Sequence, residues 1–187
     1  MKPAFVIVSG PPGAGKTTLA RRLSAELGLP LIAKDDIKES LFASLGWSDR
    51  EWSKRVGAAT WDLIFLLMER FATARSPAIV ESNFYPEQQR ATVEALCNGH
   101  AIVEIHCTAD PSVLAERFNT RERHPGHDPD GPAHTVEGAA ATLVNNGALA
   151  IGAVIEVDTT HPERIDWDAL ICEIREGLGE TDGSQDG

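Results

Sequence analysis

Five short stretches of the chain are apolar almost without interruption, and stretches of mixed character separate them. Phe5–Val8, Leu31–Ala33, Ala78–Glu81, Ile102–His106 and Val154–Val157 have the length and the β-branched content of strands. Continuous hydrophobicity, rather than strict alternation, suits strands that are covered on both faces. Between them the spacing becomes helical. Leu19, Leu23 and Leu27 lie on one helical face, which predicts a helix over Lys16–Leu27 that stops at Gly28 and Pro30. A second helix is expected from Asp36, read as its N-cap with Glu39 as partner. A long third helix is expected to begin at Ser48, with Glu51 completing a capping box, and to reach about Ala74. Pro86 and Pro111 fit the first turns of two more helices, the latter capped by Asp110, and a last one covers about Asp166–Leu178. This alternation argues for an α/β fold: a three-layer arrangement with a five-stranded parallel sheet and helices on both faces.

One segment breaks the rhythm. Arg117–His134, "RFNTRERHPGHDPDGPAH", begins as the end of a helix carrying three arginines and then dissolves into Gly, Pro, His and Asp. A loop of that length inside a compact domain is functional or disordered, and a flexible lid is expected here. Residues 1–179 are read as one domain, followed by an acidic tail, 180–187, with no apolar residue to bury and therefore expected to be disordered.

The charge balance narrows the partners. The 187 residues carry a formal net charge of −11, and −8 remains without the three acids of the tail. A nucleic-acid partner calls for a basic face, so a small substrate is expected. Cys97, Cys107 and Cys172 contain no C-x-x-C pair and are odd in number, which suggests neither a disulfide framework nor a zinc site. No signal peptide is expected ahead of the first strand, and no apolar run approaches a membrane span. A reduced, cytoplasmic setting is expected. Nothing in the pattern fixes an oligomeric state.

Candidate chemistry begins after the first strand, in Gly10-Pro11-Pro12-Gly13-Ala14-Gly15-Lys16-Thr17-Thr18. This contains G-x-x-x-x-G-K-[ST], the phosphate-binding P-loop, between a strand and a helix as the motif requires. Backbone N–H groups wrap the anion, so side chains there must be small or absent, and the following helix adds its free amides and positive dipole end. Lys16 is expected to reach the β- and γ-phosphates of ATP, and the Thr17 hydroxyl to bind Mg²⁺. N-K-x-D is absent, so guanine specificity is not expected.

"GPPGAGKTT", "KDDIKESL", "VESNFYPEQQR" and "RFNTRERHPGH" follow one another in order over about Phe5–Arg123. Together they resemble the small P-loop kinases that include polynucleotide 5′-kinase, zeta toxins and chloramphenicol phosphotransferase-like proteins. The resemblance implies an ATP- and Mg²⁺-dependent kinase. Asp35 would take the proton of the acceptor hydroxyl, with Asp36, read as a helix cap, as its competitor. Lys38 stands for a phosphate-gripping arginine of the family. Glu81 and Asn83 occupy the positions of its aspartate and asparagine, Glu81 reaching Mg²⁺ directly or through water. Arg121 matches the lid arginine, flanked by Arg117 and Arg123. "VDTTHPER" falls where such kinases pass the adenine, with Thr159 or Thr160 lining it. His124, His127 and His134 are read as loop residues rather than zinc ligands. Trp61 is assigned to the core, while Trp47 and Trp52 are placed beside the acceptor. The reading is a kinase for a small-molecule hydroxyl; a polynucleotide 5′-hydroxyl kinase and a non-catalytic ATP-binding regulator are the alternatives.

Overall fold

The computed structural model describes residues 4–121 and 134–179. Strands β1 (Ala4–Ser9), β2 (Leu31–Ala33), β3 (Ala78–Glu81), β4 (Ala101–Thr108) and β5 (Ala153–Asp158) form one parallel sheet in the order β2-β3-β1-β4-β5. The chain runs from β1 out to the β2 edge, returns through β3, and then crosses β1 to reach β4 and β5. Winding therefore reverses beside β1, the position at which open α/β sheets leave a crevice at their carboxyl ends.

Helices α1 (Lys16–Leu27), α2 (Lys34–Leu45), α3 (Arg50–Thr73), α4 (Pro86–Leu96), α5 (Pro111–Thr120), α6 (Val136–Asn145) and α7 (Trp167–Gly177) complete the layers. On one face Val6, Val8 and Ile105 pack with Leu23 of α1, Leu114 of α5, Ala139 of α6 and Ile174 of α7. On the other, Phe5, Ile7 and Val80 pack with Ile64 and Met68 of α3 and Val93 of α4. Every residue of β1 is buried, which is why Ala4–Val8 are all apolar, while the hydroxyl of Ser9 at the strand's end is hydrogen-bonded.

All five predicted strands are present; β4 and β5 are longer at both ends than their apolar runs. Both caps assigned to α2 and α3 require correction. Helix α2 starts at Lys34, directly from β2, with Ala33 at the N-cap and no side-chain cap. No turn separates the strand from the helix, so no capping position exists, and Asp36 lies in the first turn with Asp35. There both carboxylates complement the helix dipole. Helix α3 is capped by Asp49, not Ser48: the Asp49 carboxylate accepts from the Trp52 N–H at 2.8 Å. Burial of Val56, Thr60, Ile64 and Met68 sets the helix register, and Asp49 then falls at the cap.

Helix α6 was not expected. Its alanines and Gly138 blur the apolar period, and Thr135 caps it by accepting from the Gly138 N–H at 3.0 Å. Arg123, His124 and His127, and the tail 180–187, lie outside the described residues. Among the described residues no helix is long and apolar enough to cross a membrane.

Candidate active site

The P-loop is wedged between the end of β4 and α5. Gly10 has φ 134°, and a Cβ there would run into the Cys107 carbonyl oxygen. Gly13 has φ 86°, and its Cβ would stand 2.8 Å from the Leu114 carbonyl oxygen. Both positions combine a backbone conformation that side chains resist with a close approach that they would block. Lys16 is buried, and its Nζ donates to the Pro11 carbonyl at 2.8 Å. Burial pulls its pKa below the ordinary lysine value, with the Glu81 carboxylate as the largest opposing influence.

The loop opens onto a cavity of about 590 Å³, within the usual range for small-molecule sites. Pro12, Gly13, Gly15, Lys16, Thr17 and Thr18 line it from the P-loop and the start of α1. Asp35 enters from α2, Glu81 and Asn83 from the end of β3, and Arg117 and Arg121 from the end of α5. Gly10, Pro11 and Ala14 are buried behind the loop, and neither Lys38 nor Thr159 lines the cavity.

Thr17 and Glu81 meet directly, the threonine Oγ1 donating to Glu81 Oε2 at 3.2 Å. Burial raises the Glu81 carboxyl above its usual range, while Lys16 and the Thr17 hydrogen bond pull it down. A hydroxyl and a carboxylate side by side, next to a phosphate-binding loop, fit Mg²⁺. That ion takes one or two carboxylates and completes its shell with water and phosphate oxygens.

The two aspartates diverge. Asp35 is half-buried on the cavity wall, whereas Asp36 is exposed and accepts from Arg21 Nη2 at 2.9 Å. Lys38 turns to α3, donating to Ser53 Oγ at 3.1 Å. Burial lowers its pKa, and the neighbouring Lys34 charge adds to that. Lys34, one turn earlier, is the α2 lysine on the cavity. Starting α2 at Asp36 concealed it. Arg21 was also missed, although it follows Thr17 by one helical turn and so lies on the same face of α1.

Arg117 is held by the protein itself. Its Nη2 donates to the Thr159 carbonyl at 2.8 Å, and its Nη1 to Thr159 Oγ1 at 3.3 Å. Thr159 Oγ1 in turn lies 3.1 Å from the Ala14 carbonyl and 2.9 Å from the Thr108 carbonyl. Thr159 is thus a buried brace joining the P-loop, β4 and α5. Arg121, one turn on, is the α5 C-cap and is exposed on the cavity. Between the two arginines, Asn119 exchanges two hydrogen bonds with the His134 backbone, at 3.0 and 2.9 Å, and Phe118 stacks on the His134 ring. These contacts draw together the two ends of the segment read as a lid. Trp61 packs on Phe65 and Phe84 in the core, while Trp47 and Trp52 do not line the cavity.

A buried polar chain behind the P-loop was also missed. Ser9 Oγ donates to Glu104 Oε1 at 2.8 Å and pairs with His106 Nδ1 at 2.9 Å, an arrangement that assigns the ring proton to Nδ1. Glu104 also accepts from the Leu149 and Ala150 N–H groups at 2.7 and 2.8 Å. Burial lowers the His106 pKa, opposed chiefly by Glu104. The signal was an acid in the middle of an apolar strand.

Residues 5–145 match the AAA domain family. The crystal structure of a candidate kinase from Chloroflexus aurantiacus J-10-fl is 36% identical, with a TM-score of 0.85 over 95% of this chain and 100% of that one. A gluconokinase from Sinorhizobium meliloti 1021 has the same fold at 20% identity and a TM-score of 0.55, over 95% of this chain and 92% of that one. The cytidylate kinase of Ignicoccus hospitalis is 42% identical over 43 residues, 23% of this chain and 25% of that enzyme. The chain thus spans about a quarter of the length of the curated relatives it matches. With the P-loop, the β2-β3-β1-β4-β5 sheet and a match over residues 5–145, the chain belongs to the AAA domain family, and its fold is that of the small P-loop kinases.

Proposed function

We propose that this protein is an ATP- and Mg²⁺-dependent kinase that transfers the γ-phosphate to a hydroxyl of a small molecule. The observation that carries this reading is the convergence of Asp35 with Lys16, Glu81 and Arg121 on one cavity. In the proposed reaction the acceptor oxygen bonds to the γ-phosphorus, the bond to the β-phosphate oxygen breaks, and Asp35 takes the hydroxyl proton. Lys16 and the P-loop amides hold the phosphates, and Arg121 meets the charge on the transferring group. Mg²⁺, when bound, neutralises phosphate charge; Thr17 and Glu81 would hold it. Arg117 positions the loop by bracing Thr159, and Asn83, Lys34 and Glu39 line the acceptor side.

The test is ATP consumption against a library of hydroxyl compounds, using Asp35→Asn and Asp36→Asn. Asp35→Asn is expected to cut transfer by about 10²–10⁴-fold, the usual worth of a positioned base, with ATP affinity retained. Asp36→Asn is expected to change little, because Asp36 faces Arg21 at the rim. Consumption with nucleoside monophosphates alone, unaffected by Asp35→Asn, would refute the hydroxyl acceptor.

A further inference from the structure

The face of α3 turned away from the sheet is short of charge. Val56, Thr60, Ile64 and Met68 occupy the buried side. Between Arg55 and Glu69 the only charged residue is Asp62. The outer side there carries Ala58, Ala59, Leu63, Leu66 and Leu67, and the three leucines are 37%, 44% and 36% exposed. A single surface leucine needs no explanation, but three on one stretch of helix form a patch. Asp62 and Arg70 stand four residues before and four after Leu66, so all three share a stripe. Both charged residues are exposed, and neither has a side-chain partner among the described residues.

We propose that this face is a homodimer interface, in which α3 packs antiparallel on α3 of a second copy with the two-fold axis beside Leu66. Antiparallel pairing sets each residue before the axis against one equally far beyond it. Asp62 then meets the partner's Arg70, and symmetry repeats the pair. Leu63, Leu66 and Leu67 form the dry centre. An acid on the N-terminal side and a base on the C-terminal side of one apolar stripe is self-complementary, which selects a second copy over an unrelated partner. Moving the axis to midway between Asp62 and Leu63 would set Arg55 against the partner's Arg70, a like-charge contact that disfavours that register. None of these residues lines the cavity, so the inference is independent of the proposed reaction.

Sedimentation velocity of the full chain over a concentration series tests it, with thermal unfolding as the check that each variant is folded. The wild-type chain is expected to sediment at twice its 20.2 kDa mass, and Leu66→Glu as a monomer. Asp62→Arg and Arg70→Asp are each expected to weaken the dimer about tenfold or more, since each places like charges in contact twice. The double variant restores both pairs and is expected to recover to within about threefold of wild type. A wild-type chain that stays monomeric, or a dimer that Leu66→Glu leaves intact, would overturn the interface. A double variant no tighter than the single ones would overturn this pairing.

Discussion

The P-loop and the end of α5 face each other across the cavity, and they are built by opposite means. The P-loop uses backbone: Gly10 and Gly13 bring the chain where no side chain fits, against Cys107 and Leu114. The end of α5 uses side chains. Arg117 is fixed through Thr159, 42 residues away in sequence, and Asn119 through His134, 15 residues away. A backbone-built site is written in consecutive residues, because each must satisfy its own steric condition. A site built by side chains depends on partners that only the fold brings close.

The largest effect is expected from Gly10→Ala. It combines φ 134° with a collision at the Cys107 carbonyl, and is expected to cost about 2–5 kcal/mol of stability and most of the nucleotide affinity. Denaturant unfolding and an ATP titration measure both. An unchanged midpoint would break the claim that the loop is shaped by close approach.

The contrast sharpens within α5 itself. Arg117→Ala strips hydrogen bonds from Thr159 and is expected to cost about 1–3 kcal/mol. Arg121→Ala is expected to stay within about 0.5 kcal/mol of wild type, as an exposed residue should, while kcat falls by orders of magnitude under the proposed function. Equal stabilities in the two variants would erase the distinction between the braced arginine and the exposed one.

The smallest effect concerns His106, behind the P-loop. Its folded pKa lies below the ordinary value of 6.5, so as the pH falls the unfolded chain takes up the proton first. Its contribution to stability is therefore complete above about pH 6.5 and is lost as the pH drops below that. His106→Asn is expected to flatten this part of a melting-temperature profile; an unchanged slope would assign it to another group.

Local pattern carried most of the architecture. The continuous run Phe5–Val8 and the leucines of α1 identified a buried strand followed by a helix, because hydrophobic period and burial are the same fact seen twice. Caps were less legible. Ser48 and Asp49 are both good capping residues, and burial of Ile64 and Met68 decided between them by fixing where α3 begins. The choice of Asp35 over Asp36 rested on a cap that does not exist. The structure separates the two by direction instead, one to the cavity and one to Arg21.

By itself, then, the sequence determined the alternating α/β order and the phosphate-binding loop, since both depend on neighbours along the chain. Tertiary structure decided that Lys34 rather than Lys38 lines the cavity, that Thr17 touches Glu81, and that Glu104 anchors Ser9 and Leu149. Each of these depends on the angle at which a helix or strand leaves its neighbour, and packing sets that angle across the whole core. A rotation of α2 by one residue, about 100°, would turn a different set of side chains towards the cavity without changing a letter of its pattern.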